Sequence, residues 1–358
     1  MIGLSLAIGV HNLFLALVAV LFIVLALIGF VLIYGFYRYR VQNRINVWTR
    51  YIDMKITEAI VNGSHEDLDE SVFNRLMKRS SFRSLFLERL VASEKNFSGV
   101  AHVEIRNLFV KYQLHLEALK RLNQRKSYMI IGGIQELTAM EAREFLPEIE
   151  RFLHYKYANV YHEAQYAMVA LKGFEGFNFL KTFSKPISDW QQLRLLNSIV
   201  NIPDTGTEQV MEWLDSQNTT VVVFTLKLIR KFQLFAFYDR VKECLYHQEV
   251  KVRVQAVRTL QTLEGFSTVD DLIESYDSQP QEIQLEIVKV LKAAKDSRFV
   301  EFFKTQLSNH TLASIRIIAA EALIALGLKD YLIELINNQE TSEELILIVK
   351  HAMQVKRW

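Results

Sequence analysis

From Leu13 to Tyr37 the chain reads LFLALVAVLFIVLALIGFVLIYGFY, 25 positions without a charge, and no Asp, Glu, Lys or Arg occurs before Arg38. A helix of that length rises about 37 Å at ~1.5 Å per residue, enough to cross a ~30 Å hydrocarbon core with some tilt. Helices of soluble cores keep a polar side, and this run has none, so the pattern predicts one transmembrane helix over 13–37. Tyr34, Tyr37 and Tyr39 fall where aromatic side chains collect at a membrane interface. A cleaved signal needs a basic start, an apolar stretch of ~7–15 residues and a small-residue cleavage site. Here the run is longer, has no basic start and closes on YGFYRYR, so an uncleaved anchor is expected.

Past the span the pattern becomes amphipathic. Val41, Ile45, Trp48, Ile52, Ile56 and Ile60 recur every three or four residues, one stripe of a helix. Asn62-Gly63-Ser64 interrupts it, and His65-Glu66-Asp67 reads as a cap and first turn. Stretches 72–93 and 100–122 carry the same spacing. In the second, Val103, Leu108, Leu114, Leu116, Leu119 and Leu122 are expected to form one buried face or, as the alternative, a seam for a partner helix. Strand-like alternation is missing, and four Pro and 13 Gly are too few for the turns of an all-β chain.

From about residue 127 the pattern repeats itself. Val252-Arg-Val-Gln-Ala-Val-Arg-Thr-Leu260, Ile283-Gln-Leu-Glu-Ile-Val-Lys-Val-Leu291 and Ile315-Arg-Ile-Ile-Ala-Ala-Glu-Ala-Leu323 start 31 and 32 residues apart. Val221–Ile229, 31 residues earlier, keeps the apolar first, third, sixth and ninth positions. Weaker copies lie at 161–171, 192–200 and 344–352. Between them run shorter amphipathic segments at 207–214, 236–245, 269–276, 299–307 and 331–336. The unit is a helical pair of about 30 residues, which cannot bury its apolar face alone and must stack on neighbours. Pro280 suits the start of a second helix. Gly265 and Gly327 suit left-handed helix ends. Asn309-His310-Thr311 and 338–342 are short polar connections. Ala256, Ala319 and Ala320 allow close helix approach.

These copies resemble the HEAT/armadillo class of α-solenoids, above all the short bacterial HEAT-like repeats. The likeness rests on Val252–Leu263 and Ile315–Gly327, with Arg253 and Arg316 after the first apolar position and alanine in mid-helix. Gln284 stands at the corresponding place in the copy between them, and the family's loop proline and aspartate are patchy. The resemblance implies a right-handed α-solenoid of HEAT-like pairs over 127–358; with the N-terminal transmembrane helix and the basic juxtamembrane helical segment over 38–126, the whole chain is expected to be all-α. The resemblance further implies a concave surface of second helices with first helices on the convex side. Proteins resembling bilin lyases also carry such repeats, which would imply a tetrapyrrole-binding or lyase role.

Charge adds direction. The whole chain carries 42 Lys+Arg against 40 Asp+Glu, a balance that does not coat polyanions, so no nucleic-acid partner is expected. Residues 38–126 hold 17 basic against 10 acidic residues, net +7, and 127–358 hold 25 against 30, net −5. Arg38, Arg40, Arg44 and Arg50 follow the span with no acid among them. By the positive-inside rule they place the C-terminal part in the cytoplasm and the short N-terminus outside, a single-pass protein of the inner (plasma) membrane. The same four arginines could hold anionic headgroups at roughly 1 kcal/mol each.

Catalytic chemistry is not written in recognisable motifs. Gly132-Gly133 has no following Lys-Ser/Thr, so it is not a phosphate loop and suits close helix packing. His154 and His162 would stand about 12 Å apart on one helix, too far for one metal ion. Cys244 is the single cysteine, which excludes an internal disulfide, and its surroundings suit a small buried apolar residue. The aromatic clusters at 155–183 and 232–238 suit inter-repeat core. Trp358 ends the chain without a role. No cofactor, metal or catalytic residue is expected. The reading is a membrane-anchored, non-catalytic scaffold or adaptor whose partner is a protein, such as a membrane enzyme or a transport or secretion complex; an anionic-lipid-sensing adaptor is the other membrane reading.

Overall fold

A computed structural model describes residues 2–61, 70–97, 99–203, 206–263 and 267–354. Asn62–Asp67, Gly265 and Trp358, each given a place above, lie outside these residues. Among the described residues all regular structure is helical. The chain divides into two compact units, 1–149 with 157–163, and 150–156 with 164–358.

The first unit contains α1 (Ile2–Val61), α2 (Glu70–Met77), α3 (Ser80–Glu94), α4 (Val100–Lys111), α5 (His115–Leu122), α6 (Ser127–Ala139), most of α7 (Leu146–Glu150) and the start of α8 (Ala158–Lys172). α1 is one helix of 60 residues that changes character along its length. Its 13–37 stretch buries nothing. From Trp48 onward it packs on α3 and α4 through Trp48, Ile52 and Ile56, all buried, with Val41, Ile45 and Ile60 half-buried. Trp48 meets Phe82 edge-on at 5.6 Å between ring centroids, and Phe82 meets Phe73 at 5.5 Å.

One expectation is corrected here. Leu108, Leu114 and Leu122 are buried and Leu119 is half-buried, but Val103 is 55% and Leu116 47% exposed. Val103 and Leu108 stand about 140° apart on the single helix α4, and the helix then breaks between Lys111 and His115, where Gln113 takes a left-handed φ of 50°, so the six positions do not share a face. Counting a 3.6 period across such a break puts residues on the wrong side.

α6, the first helix past residue 126, packs on α5 and α3 within this unit. A Cβ on Gly133 would stand 2.7 Å from the Ala118 carbonyl oxygen, whereas one on Gly132 would meet only the tip of Arg121 at 3.8 Å. The two glycines should therefore respond with opposite sign. Gly133→Ala forces α5 and α6 apart and should cost about 1–3 kcal/mol. Gly132→Ala should be neutral or stabilising by up to ~1 kcal/mol through helix propensity. Chemical unfolding of the two variants measures this, and equal losses would sink it.

Three of the carboxylates buried in this unit each face an arginine. Glu117 accepts from Arg83, Lys120 and Ser80, Glu94 pairs with Arg106 at 2.8 Å, and Glu136 pairs with Arg121. Burial pushes Glu136 up from 4.5 to about 7 against the pull of Arg121, helped by Glu88 and Glu117 nearby. A carboxyl whose pKa is higher folded than unfolded binds more protons when folded. Its contribution is greatest below about 4.5 and is lost as pH rises through 7, by about 3 kcal/mol in all. The melting temperature of the detergent-solubilised chain should fall between pH 5 and pH 8, and Glu136→Gln should flatten that slope. An unchanged slope in Glu136→Gln would remove this carboxyl as the cause.

The second unit is a stack of helical pairs: α9 (Asp189–Ser198), then α10 (Thr207–Leu214) with α11 (Thr219–Phe232), α12 (Tyr238–Glu243) with α13 (Val250–Leu263), α14 (Thr268–Tyr276) with α15 (Gln281–Ala294), α16 (Val300–Asn309) with α17 (Ala313–Ala325), and α18 (Lys329–Asn337) with α19 (Glu343–Gln354). The second helix of each pair from α11 to α19 packs directly on the second helix of the next. This succession is what a repeat that buries its face only against neighbours must build. Pro280 caps α15 one residue before its first turn, and Gly327 ends α17 at φ 86°.

Candidate functional site

The four best repeat copies place equivalent residues at equivalent depths. First, sixth and ninth positions are fully buried: Val221, Leu226 and Ile229 in α11, and likewise Val252, Val257 and Leu260 in α13. The third position is different. Val223, Val254, Leu285 and Ile317 are all half-buried, so four adjacent helices each offer one apolar side chain to solvent at the same level.

Polar side chains flank this spine and bridge successive second helices. Lys227 of α11 donates to Asp189 of α9 at 2.8 Å, Arg258 of α13 pairs with Glu286 of α15 at 3.1 Å, Lys292 of α15 pairs with Glu321 of α17, and Arg316 of α17 pairs with Glu344 of α19 at 3.1 Å. Lys227 and Lys251 together hold the Asp189 carboxyl below its ordinary value, the Lys227 hydrogen bond being the largest cause. Arg253 turns away from this layer and donates to the His247 carbonyl and to Gln279, and Arg316 donates to the Leu307 carbonyl at 2.9 Å. These two arginines, which carry the family resemblance, hold loops and helix ends together rather than facing a ligand.

At α9 the layer opens into a surface cavity of about 320 Å³ lined by Tyr166, Trp190, Leu193, Arg194, Asn197 and Ser198. The Arg194 guanidinium lies 3.8 Å from the centre of the Tyr166 ring, a stacking cation–π geometry. Trp190 is 73% exposed and Leu193 49%. Sequence reading missed this site because 192–200 is a weak repeat copy and Trp190 lies just outside it.

Comparisons with known proteins add little to this geometry. No family model matches the chain, and no curated protein matches it. Among solved structures, YibA of E. coli is similar at 17% identity and a TM-score of 0.41, covering 69% of this chain and 97% of that one. Human deoxyhypusine hydroxylase is similar at 14% identity and a TM-score of 0.28, covering 86% and 96%. The CpcE–CpcF complex of phycocyanin lyase from Nostoc sp. is similar at 13% identity and a TM-score of 0.25, covering 84% and 94%. The stacked pairs in this chain stand on their own packing.

The other residues singled out from sequence fall as follows. Arg38, Arg40, Arg44 and Arg50 are all exposed along α1. At about 100° per residue they ring the helix instead of sharing one face. None of them meets a carboxylate among the described residues, and Arg40 sits 4.6 Å from the Phe36 ring centre. Cys244 is buried, and burial pushes its thiol up to about 11. His154 is exposed against Phe183, and His162 packs on Tyr161. Phe174, Phe177, Phe179 and Phe183 are buried core, with Phe177 against Trp213 and Phe224. In the second cluster Phe237 is buried and Phe235 is 60% exposed. No cluster of metal-ligating side chains occurs among the described residues.

Proposed function

We propose that the protein is a membrane-anchored, non-catalytic scaffold that docks a partner protein on its helical repeat array in the cytoplasm. The observation that carries this reading is α1. Its bare, apolar stretch of mean hydropathy 3.3 continues without a break into a stretch buried in the first unit. An apolar helix surface left entirely open has only lipid or another protein to cover it, and its length fits a bilayer. An anchor joined to a folded unit by continuous helix confines the array to the membrane plane, which raises the effective concentration of membrane-bound partners. A thiol held protonated at neutral pH, as Cys244 is, is no ready nucleophile, which agrees with a non-catalytic role. The test is crosslinking in intact cells followed by purification from membranes. The scaffold reading predicts a stoichiometric crosslinked protein, and a chain that always purifies alone would sink it.

A second reading, an anionic-lipid sensor, is favoured by one observation, the four exposed arginines that follow the apolar stretch of α1. Replacing Arg38, Arg40, Arg44 and Arg50 with Gln should lower binding of the chain lacking its span to phosphatidylserine vesicles by tenfold or more, at roughly 1 kcal/mol per arginine. Equal binding of both forms would remove the arginines from this role.

A further inference from the structure

The charge of the repeat array is divided between its two sets of helices. The second helices, with α9, hold 11 Lys+Arg against 6 Asp+Glu, net +5. The first helices, α10 to α18, hold 4 against 10, net −6. The array's mild overall acidity therefore conceals a basic layer and an acidic one. The basic charge is itself concentrated: α11 and α13 together carry six cations and no acid, whereas α15 and α17 are each neutral.

Exposed apolar side chains lie at the same end of the array. Trp190 and Leu193 of α9 stand beside the α9 cavity, and Val223 and Val254 continue an apolar line across α11 and α13. Basic and apolar groups thus interleave over three neighbouring helices. Lys227 and Arg258 each hold a carboxylate from the adjacent helix. Among the described residues Arg230 donates to Thr262, and Lys251 is exposed.

We infer that α9, α11 and α13 form a receptor for an acidic amphipathic segment of a partner protein, its apolar residues seated on Trp190, Leu193, Val223 and Val254 and its carboxylates facing Arg230 and Lys251. This rests on the scaffold reading and specifies the face and the chemistry of the partner. Cations in a partly desolvated apolar surface select opposite charge and reject like charge more strongly than they add affinity. A nucleic acid fits less well. Its phosphates and sugars would leave the apolar line of Trp190, Leu193, Val223 and Val254 uncovered. A flat anionic bilayer also fits less well, since third-position residues are only half exposed within a packed layer.

The test places a photocrosslinking amino acid in the full-length, membrane-embedded protein at Leu193 or Val254, and, as controls on other faces, at Ile333 of α18 or Tyr246. Crosslinked peptides are identified by mass spectrometry. The expected result is a defined protein segment of net negative charge with apolar residues at helical spacing, captured from 193 and 254 and not from 333 or 246. Arg230→Glu with Lys251→Glu leaves the four ion pairs between these helices in place, and should cut the yield at least about tenfold, more at low salt than at high. Trp190→Ala, at an exposed position, should cut it independently while the circular dichroism spectrum stays unchanged. A captured protein segment that is basic or neutral, capture of lipid or nucleic acid from 193 and 254, or protein captured only from 333 and 246 would overturn the assignment, and protein capture at any of the four positions would leave a docking role standing. Absence of protein crosslinks from all four positions would overturn the scaffold reading itself.

Discussion

Full-length protein carrying Leu21→Arg, Leu25→Arg and Ile28→Arg should move from the carbonate-resistant membrane fraction to the soluble or peripherally bound fraction. Leu, Ile, Val and Phe fill most of 13–37. At ~0.3–0.6 kcal/mol each they favour insertion by about 5–10 kcal/mol, an upper range because flanking positions count for less. Three arginines near the centre of the span cost about 2.5–3.5 kcal/mol each, which offsets the whole of that gain. The three positions are 55%, 59% and 50% exposed and touch no part of the folded units that would explain a loss by unfolding. The circular dichroism spectrum and melting temperature of the released chain should therefore match those of the detergent-solubilised parent. If the triple variant still resists carbonate extraction, the helix is not held by lipid and the anchor reading fails.

Much of this architecture is legible in the sequence, for a physical reason. Stacked pairs bury the same positions in each copy, so Val221, Val252, Ile283 and Ile315 had to be apolar and equally spaced. What was not legible depends on groups with no periodic signature. Gln233 ends α11 and Lys295 ends α15 in the left-handed conformation, at φ 49° and 52°, where sequence reading looks for glycine. Glu94, Glu117 and Glu136 are buried only because arginines 12 to 34 residues away reach them, and nothing local announces such a pair. The docking face was hidden more deeply. Trp190 and Leu193 look like any core pair in sequence, and the division of charge emerges only once each helix is known to be first or second in its pair.

Phe82→Ala should be the most damaging single substitution in the first unit, costing about 3–5 kcal/mol. The ring is fully buried and touches Trp48 of α1 on one side and Phe73 of α2 on the other, both edge-on. Its removal forfeits the transfer energy of a phenyl group and two aromatic pairs of about 0.5–1.5 kcal/mol each. Three helices meet around that one ring, so no single neighbour can move in to fill the space without losing other contacts. Against a total stability on the order of 5–15 kcal/mol, the loss is enough to free the 38–61 stretch of α1 for cleavage by added protease. Phe97→Ala, at a 45% exposed position, should stay within about 0.5 kcal/mol of the parent. The decisive comparison is with the triple arginine variant. If α1 is an anchor in its first half and a core helix in its second, Phe82→Ala must lower stability and leave the chain in the membrane, and the arginines must do the reverse. A Phe82→Ala protein that both melts normally and resists protease would show that α1 is not seated on α3 through Trp48, and the continuous link from span to folded unit would be lost with it.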